Sequence, residues 1–514
     1  MVCSLILTEP AFLFAQGEKA KNPIIFADVP DLSMIRVGDT YYMSSTTMHM
    51  APGVPIMKST DLSNWQLIGY AYETLTANAA IDLEDGKNAY GRGSWASCLW
   101  YHNGMFYVST FSQTSGKTHV YKTANIEEDP WQEISFAPSH HDHSIYFDDN
   151  GRIYMIWGAG TIKIVELERD LSGVIPNTEK ILIENASAPA GSDIMLPAEG
   201  SQVFKVNGFY YLFHIVWPRG GMRTVLVHRS KDIQGPYKGK VMLQDRGIAQ
   251  GGLIDTPDGN WFAYLFRDYG AVGRIPYLVP VVWEDDWPVL GEDGKVPEEL
   301  ELPRSKGLIP YLVDSDEFDR KPGEFDHLPL VWQWNHNPVR QYWSLGEHPG
   351  HLRLRKDRTD THVLEIRNTL TQRTFGPQSN AVTKLDVSGM QDGDYAGLLL
   401  LQKEFGFVGV KQTEGKKSIV MVLGKDAVQT EIETLPLDFG FVYFKASCDF
   451  ENLKDQAEFF YSLDGEKWQH IGDTLHMKYT LPHFMGYRFG LFYYGTSGTE
   501  GHIDFDFFRI SEGK

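Results

Sequence analysis

The chain has 514 residues, more than one hydrophobic core usually serves, so two domains are expected. Its 42% hydrophobic and 22% charged content exclude a disordered or fibrous protein. Lys+Arg 47 against Asp+Glu 67 leaves a net charge of −20, which repels a phosphate backbone and excludes nucleic acid as a natural partner, while a neutral polysaccharide is indifferent to it.

At the N-terminus an apolar stretch ends in Phe14-Ala15-Gln16 and gives way to Gly17-Glu18-Lys19. Residues 1–16 read as the tail of a secretory signal peptide, which predicts a secreted or periplasmic protein; an ordinary chain terminus is the alternative. No apolar run of about 18 residues follows, so no membrane span is expected. Cys3, Cys98 and Cys448 are too few and too scattered for a disulfide framework, and no Cys/His spacing suggests zinc.

Five times before residue 290 a Gly-containing turn leads into an aromatic-rich strand: Gly38-Asp39-Thr40-Tyr41, Asn103-Gly104-Met105-Phe106, Asn150-Gly151-Arg152-Ile153, Asn207-Gly208-Phe209-Tyr210 and Asp258-Gly259-Asn260-Trp261. Asn-Gly and Asp-Gly are hairpin signals because a type I′ turn needs positive φ at both central residues. The five glycines are 66, 47, 57 and 51 residues apart. Such a repeat of one small sheet predicts a five-bladed β-propeller over 17–290, with a large β-sandwich as the alternative. Residues 291–314, rich in Gly, Pro and mixed charge, read as a linker. Beyond them, strands such as His351–Arg355 and Ala457–Leu463, with an Asp464-Gly465 turn, predict a jelly-roll β-sandwich over 315–514. The fold class is all-β throughout.

Cleaving a glycosidic bond takes two carboxyl groups in different protonation states. Among 67 acidic residues, three occupy comparable places in separate repeats: Asp31 seven residues before Gly38, Asp142 nine before Gly151, and Glu199 nine before Gly208. Each precedes a β-type run and its hairpin turn, an arrangement that can bring all three to one axial cavity.

The segments Pro30-Asp31-Leu32-Ser33, Gly53-Val54-Pro55-Ile56, Asp61-Leu62-Ser63-Asn64-Trp65, Ala198-Glu199-Gly200 and Gly273-Arg274-Ile275-Pro276 resemble glycoside hydrolase family 43. Trp332–Asn337 and Thr369–Arg373 are similar to the β-sandwich that accompanies some members. The resemblance implies an inverting enzyme with Asp31 as general base, Glu199 as general acid, and Asp142 orienting the acid and raising its pKa. Asp31 and Glu199 would then stand about 6.5–9.5 Å apart to admit water. It further implies that Arg274 contacts a sugar hydroxyl and faces Asp142, that Trp95 forms an aromatic wall, and that Gln250 takes an axial position held by histidine in many relatives. Gln is a poor metal ligand, so no catalytic metal and no required cofactor are expected.

His140, His141 and His143 flank Asp142 and are read as its neighbours, since adjacent strand residues point to opposite faces. Asp316 and Asp504 are candidates for a structural calcium site in the sandwich. Met48-His49-Met50-Ala51 departs from the aromatic loop of xylosidases in the family and is read as an altered pocket wall with His49 on the substrate. That departure favours an exo-acting α-L-arabinofuranosidase on an oligosaccharide or polysaccharide such as xyloglucan or arabinoxylan. The alternatives are a β-xylosidase and a non-catalytic carbohydrate-binding propeller.

Overall fold

A computed structural model describes residues 18–513, apart from Asp129 and Pro482. The proposed signal segment and Cys3 lie outside the described residues. The chain is built from strands, and its helical content among the described residues is four three-residue 3-10 turns.

Five four-stranded antiparallel sheets follow one another: Ser33–Tyr72, Cys98–Phe136, Ser144–Ile183, Ile194–Leu243 and Ala249–Leu290. Each predicted Gly turn joins the first and second strands of its blade. Asn103-Gly104 and Asn207-Gly208 have positive φ at both residues, as a type I′ turn requires. The five first strands contact one another in a closed ring, Ser33–Val37 meeting both Cys98–His102 and Ala249–Asp255. This is a five-bladed propeller.

Every blade draws its four strands from one continuous stretch, so no shared strand closes the circle. Closure comes instead from side chains and from the N-terminal segment. Arg36 of the first blade pairs with Asp255 of the fifth. Ile24 and Val29 donate backbone N–H groups to the carbonyls of Pro276 and Arg274 at 3.0 and 2.9 Å. The expected linker is also partly structured, because Glu299–Pro303 pairs antiparallel with Lys19–Lys21.

The C-terminal part is a sandwich of two antiparallel sheets. One runs, in spatial order, through Val428–Leu437, Lys416–Lys425, Phe405–Thr413, Asp394–Leu401, Arg488–Gly495, Leu370–Arg373 and Gln333–Asn335. Its last strand comes from the propeller: Met50 and Ala51 pair with Asn335 and Trp334. The other sheet is built on His502–Glu512 and Gln378–Asp386, beside Phe441–Asp449 and Gln456–Ser462. Phe444, Phe459, Phe505 and Phe508 belong to one buried apolar cluster that continues into the propeller through Val272, Ile275 and Tyr264. The two domains therefore share both a sheet and a core.

The Met48–Ala51 stretch is thus not a pocket wall. Its short strand finishes the sandwich sheet, and Met50 enters the sandwich core beside Phe405 and Phe492. Buried polar contacts flank it: Gln333 Nε2 donates to Thr47 Oγ1 at 3.0 Å and to the Pro52 carbonyl at 2.7 Å, while Arg488 donates to Gln333 Oε1 at 2.9 Å.

Cys98 and Cys448 are buried free thiols in different domains. The carboxylates expected to serve calcium are occupied by cations of the chain itself. Asp316 accepts from Arg320 at 2.6 Å and from Trp332 Nε1 at 3.0 Å; Asp504 accepts from Arg353 and from His348 Nδ1 at 2.7 and 2.8 Å. Neither presents a free oxygen pair to an ion. No helix of the described residues is long and apolar enough to cross a membrane.

Candidate active site

At the mouth of the propeller axis the backbone adopts the left-handed conformation in four of the five blades. Asp31 has φ 51°, Asp142 φ 47°, Gln250 φ 52°, and Gly200, directly after Glu199, φ 72°. Non-glycine residues rarely sit there, and such strain is held only where the surrounding fold enforces it. Asp31, Asp142 and Gln250 lie at the entry of innermost strands, Gly200 lies at a register irregularity within Ile194–Val206, and the four line one small axial cavity. Gly200 suits this φ, and a Cβ there would press on the Gln250 side chain, with Nε2 at 2.9 Å.

The three predicted carboxylates converge, with distinct surroundings. Asp31 is the most enclosed, its side chain 4% exposed, and both its oxygens accept from Arg274 Nη1 at 2.9 Å. Burial raises its pKa, and the guanidinium offsets part of that rise. Arg274 thus faces Asp31, not Asp142. It is itself fixed from three sides: its backbone N–H donates to Asp28 Oδ1 at 2.7 Å, its Nη2 donates to the Phe484 carbonyl at 3.1 Å, and its guanidinium lies over the Phe266 ring. At 5% exposure it is as buried as Asp31, the carboxylate it clamps.

Glu199 and Asp142 are joined through His141. His141 Nε2 lies 2.9 Å from Glu199 Oε2 and 3.8 Å from Asp142 Oδ2. Burial would lower the imidazole pKa, but Asp142 and Glu199 together outweigh it and raise it to about 9. Asp142 is pushed up to about 7 by burial and by the neighbouring carboxylates Glu199 and Asp31, against the pull of His141. A cationic histidine thus sits between two acids. These three side chains offer one nitrogen and two carboxylate oxygens within 4.8 Å of one another, a set that can also gather a small cation.

His141 is the residue that the histidine cluster concealed. His140 Nδ1 is 2.8 Å from Thr118 Oγ1, and His143 Nδ1 donates to the His140 carbonyl at 3.0 Å. Both are buried, which lowers each to about 4, and they hold the backbone around Asp142. Of the three, His141 alone turns to the acids.

A cleft of about 1300 Å³ reaches the carboxylates through His141, which lines it together with Trp95. Trp95 is half-buried, stacked on Phe111 and met edge-on by Phe484 at 4.8 Å. Phe484 and His483 come from the sandwich, and His483 stacks on Tyr90 of the propeller at 4.2 Å. Sequence spacing carries no signal for these, because they lie some 340 residues or more beyond His141. His49 does not line the cleft. It is 1% exposed behind Tyr90, with Nε2 3.1 Å from Asn335 Oδ1, and burial holds it neutral.

Residues 20–288 match the model of glycosyl hydrolases family 43, and residues 315–511 match the beta xylosidase C-terminal concanavalin A-like domain. A beta-xylosidase of Formosa agariphila is 31% identical, over 95% of this chain and 89% of its own length. A non-reducing end alpha-L-arabinofuranosidase of Bacteroides ovatus is 27% identical, over 80% of this chain and 79% of its own. A solved structure of a bifunctional GH43-CE protein of Bacteroides eggerthii superposes with a TM-score of 0.96 at 61% identity, over 97% of this chain; the chain spans 64% of that protein's length. The match over more than half the chain falls on the blades that bring Asp31, Asp142 and Glu199 to the axis, and it makes the protein a member of glycoside hydrolase family 43 and a glycoside hydrolase.

Proposed function

We propose that the enzyme removes single pentose units from the non-reducing ends of hemicellulose oligosaccharides with inversion, and that β-D-xylosides are its preferred substrates. The observation that carries the reading is the convergence of three carboxylates from three blades, one clamped by arginine and two bridged by His141, beside a cleft lined on one side by the sandwich. Asp31 takes a proton from water as the water oxygen attacks the anomeric carbon. Glu199 delivers its proton to the departing glycosidic oxygen. Asp142, buried and close to His141, orients the acid.

Met50 and Ala51, expected in the wall that favours arabinofuranose, pair into the interdomain sheet instead. The preference then rests on relatives, among which a beta-xylosidase is the more similar. α-L-Arabinofuranoside is the second reading, supported by the Bacteroides ovatus relative. Side-by-side assays with nitrophenyl β-D-xyloside and α-L-arabinofuranoside decide between them; a strong preference for the arabinofuranoside reverses the order. Glu199→Gln should lower turnover by about 10²–10⁴-fold while sugar binding persists, and unchanged activity would remove Glu199 from the mechanism.

A further inference from the structure

The large cleft is wider than one pentose needs, and its walls are charged against the sign of the protein. Lys87 and Arg92 line it from the propeller, Lys403 from the sandwich, and Glu365 is the acidic residue among its lining side chains. All three cations are exposed, and among the described residues none is in an ion pair. Nearby cations do find partners: Arg367 pairs with Glu84 at 3.2 Å and Lys478 with Glu404 at 3.5 Å. On a chain of net charge −20, three like charges gathered around one cleft with a single acid do nothing for the fold, because they repel one another and forgo the many carboxylates available. Of the imidazoles along the wall, burial lowers His362 and His483, so these two add nothing to the charge, while His141 is raised to about 9 by Asp142 and Glu199 and is held by them.

Position assigns this charge to one part of the substrate. If the terminal sugar sits over Asp31 and Glu199, the remainder of the oligosaccharide must leave through the cleft, past Arg92 on one domain and Lys403 on the other. We propose that the leaving-group side of the site takes an oligosaccharide carrying a carboxylate, such as a uronic acid branch, gripped between Arg92 and Lys403. This rests on the exo-acting reading above and adds the class of aglycone. An arginine offers a bidentate fork to a carboxylate and a lysine a flexible point charge, so the two together accept a ligand whose exact pose varies.

The test compares kcat/KM for an unbranched xylo-oligosaccharide and for the same oligosaccharide bearing one glucuronic acid on the leaving-group side. With the intact enzyme the acidic substrate is expected to be favoured by about threefold to tenfold, the scale of two partly exposed ion pairs. Raising the salt to about 0.5 M should bring the ratio toward one. The double variant Arg92→Gln, Lys403→Gln should bring it to one at low salt, with an unshifted melting temperature showing that the fold is intact. A ratio at or below one in the intact enzyme, or a preference untouched by the double variant, overturns the proposal. If the enzyme hydrolyses neither oligosaccharide, the exo-acting reading fails by itself. Calorimetric binding of the two oligosaccharides to Glu199→Gln then tests the inference separately, and equal affinities would overturn it.

Discussion

A single guanidinium nitrogen of Arg274 stands 2.9 Å from both carboxylate oxygens of Asp31, and the same arginine donates its backbone N–H to Asp28 at 2.7 Å. Asp28 Oδ2 in turn accepts the backbone N–H of Gly486 at 3.0 Å, and the Phe484 carbonyl accepts from Arg274 Nη2. The base is therefore held by an arginine whose own position depends on one buried carboxylate and a loop of the sandwich. Asp28 and Asp31 are both deeply buried, which raises both pKa values, and Arg274 is the cation that each leans on.

Replacing Arg274 by Gln should remove the charge that keeps Asp31 ionised. The Asp31 pKa then rises further, so the acidic limb of the kcat/KM profile moves to higher pH. kcat should fall by about 10²-fold or more, since the base loses its orientation too. A pH profile with an unmoved acidic limb would contradict this role for Arg274.

His141 should make stability pH-dependent in a defined direction. Its pKa is raised from 6.5 to about 9, so the stabilisation it supplies is complete below about pH 6.5 and is lost as pH rises through about 9. The difference in melting temperature between the intact enzyme and His141→Gln should shrink between pH 6 and pH 9.5. Asp142 works in the same sense, because its neutral form is favoured in the fold up to about pH 7. A difference that stays constant over that range would show that His141 gains no charge from its two acids.

Gly486→Ala should loosen the loop that holds Arg274. A Cβ at Gly486 would lie 2.1 Å from the Val272 carbonyl oxygen, so the loop must retreat from the fifth blade and strain its bonds to Asp28 and Arg274. Overpacking of this kind costs about 1–3 kcal/mol, which at this chain length lowers the melting temperature by a few degrees. Activity should fall more than stability, as the clamp on Asp31 slackens. Thermal melts and kcat/KM measured together check both, and wild-type activity in a destabilised variant would separate the loop from the mechanism.

A propeller cut after residue 314 should not persist as an active soluble protein. It would lose the partners of Met50 and Ala51 and bare His49, Tyr90 and Met50, all buried against the sandwich. It would also lose Phe484, whose carbonyl holds Arg274. Size-exclusion chromatography and nitrophenyl glycoside assays on residues 18–314 test this; a monomeric, fully active fragment would contradict the shared core. The intact enzyme should correspondingly unfold in a single cooperative transition.

The repeat of Gly turns made the propeller legible, since hairpin chemistry is local and each blade is drawn from one continuous stretch. The same locality exposed Asp31, Asp142 and Glu199, because equivalent places in the first, third and fourth blades face one axis. His141 was in plain view beside Asp142, yet alternation along a strand cannot say which of three neighbouring histidines turns to the acid. Trp332–Asn337 was visible as a motif, but not as the strand that docks Met50 and Ala51.

What the sequence by itself determined was therefore the periodic part: five blades, a sandwich after them, and three acids at one axis. Only the tertiary structure decided which cation meets which acid, that Met50 and Ala51 belong to the sandwich sheet, and that Phe484 closes over Trp95. Those contacts join residues that are hundreds of positions apart. They depend on how two domains pack, and no pattern of turns or spacing within either domain encodes that.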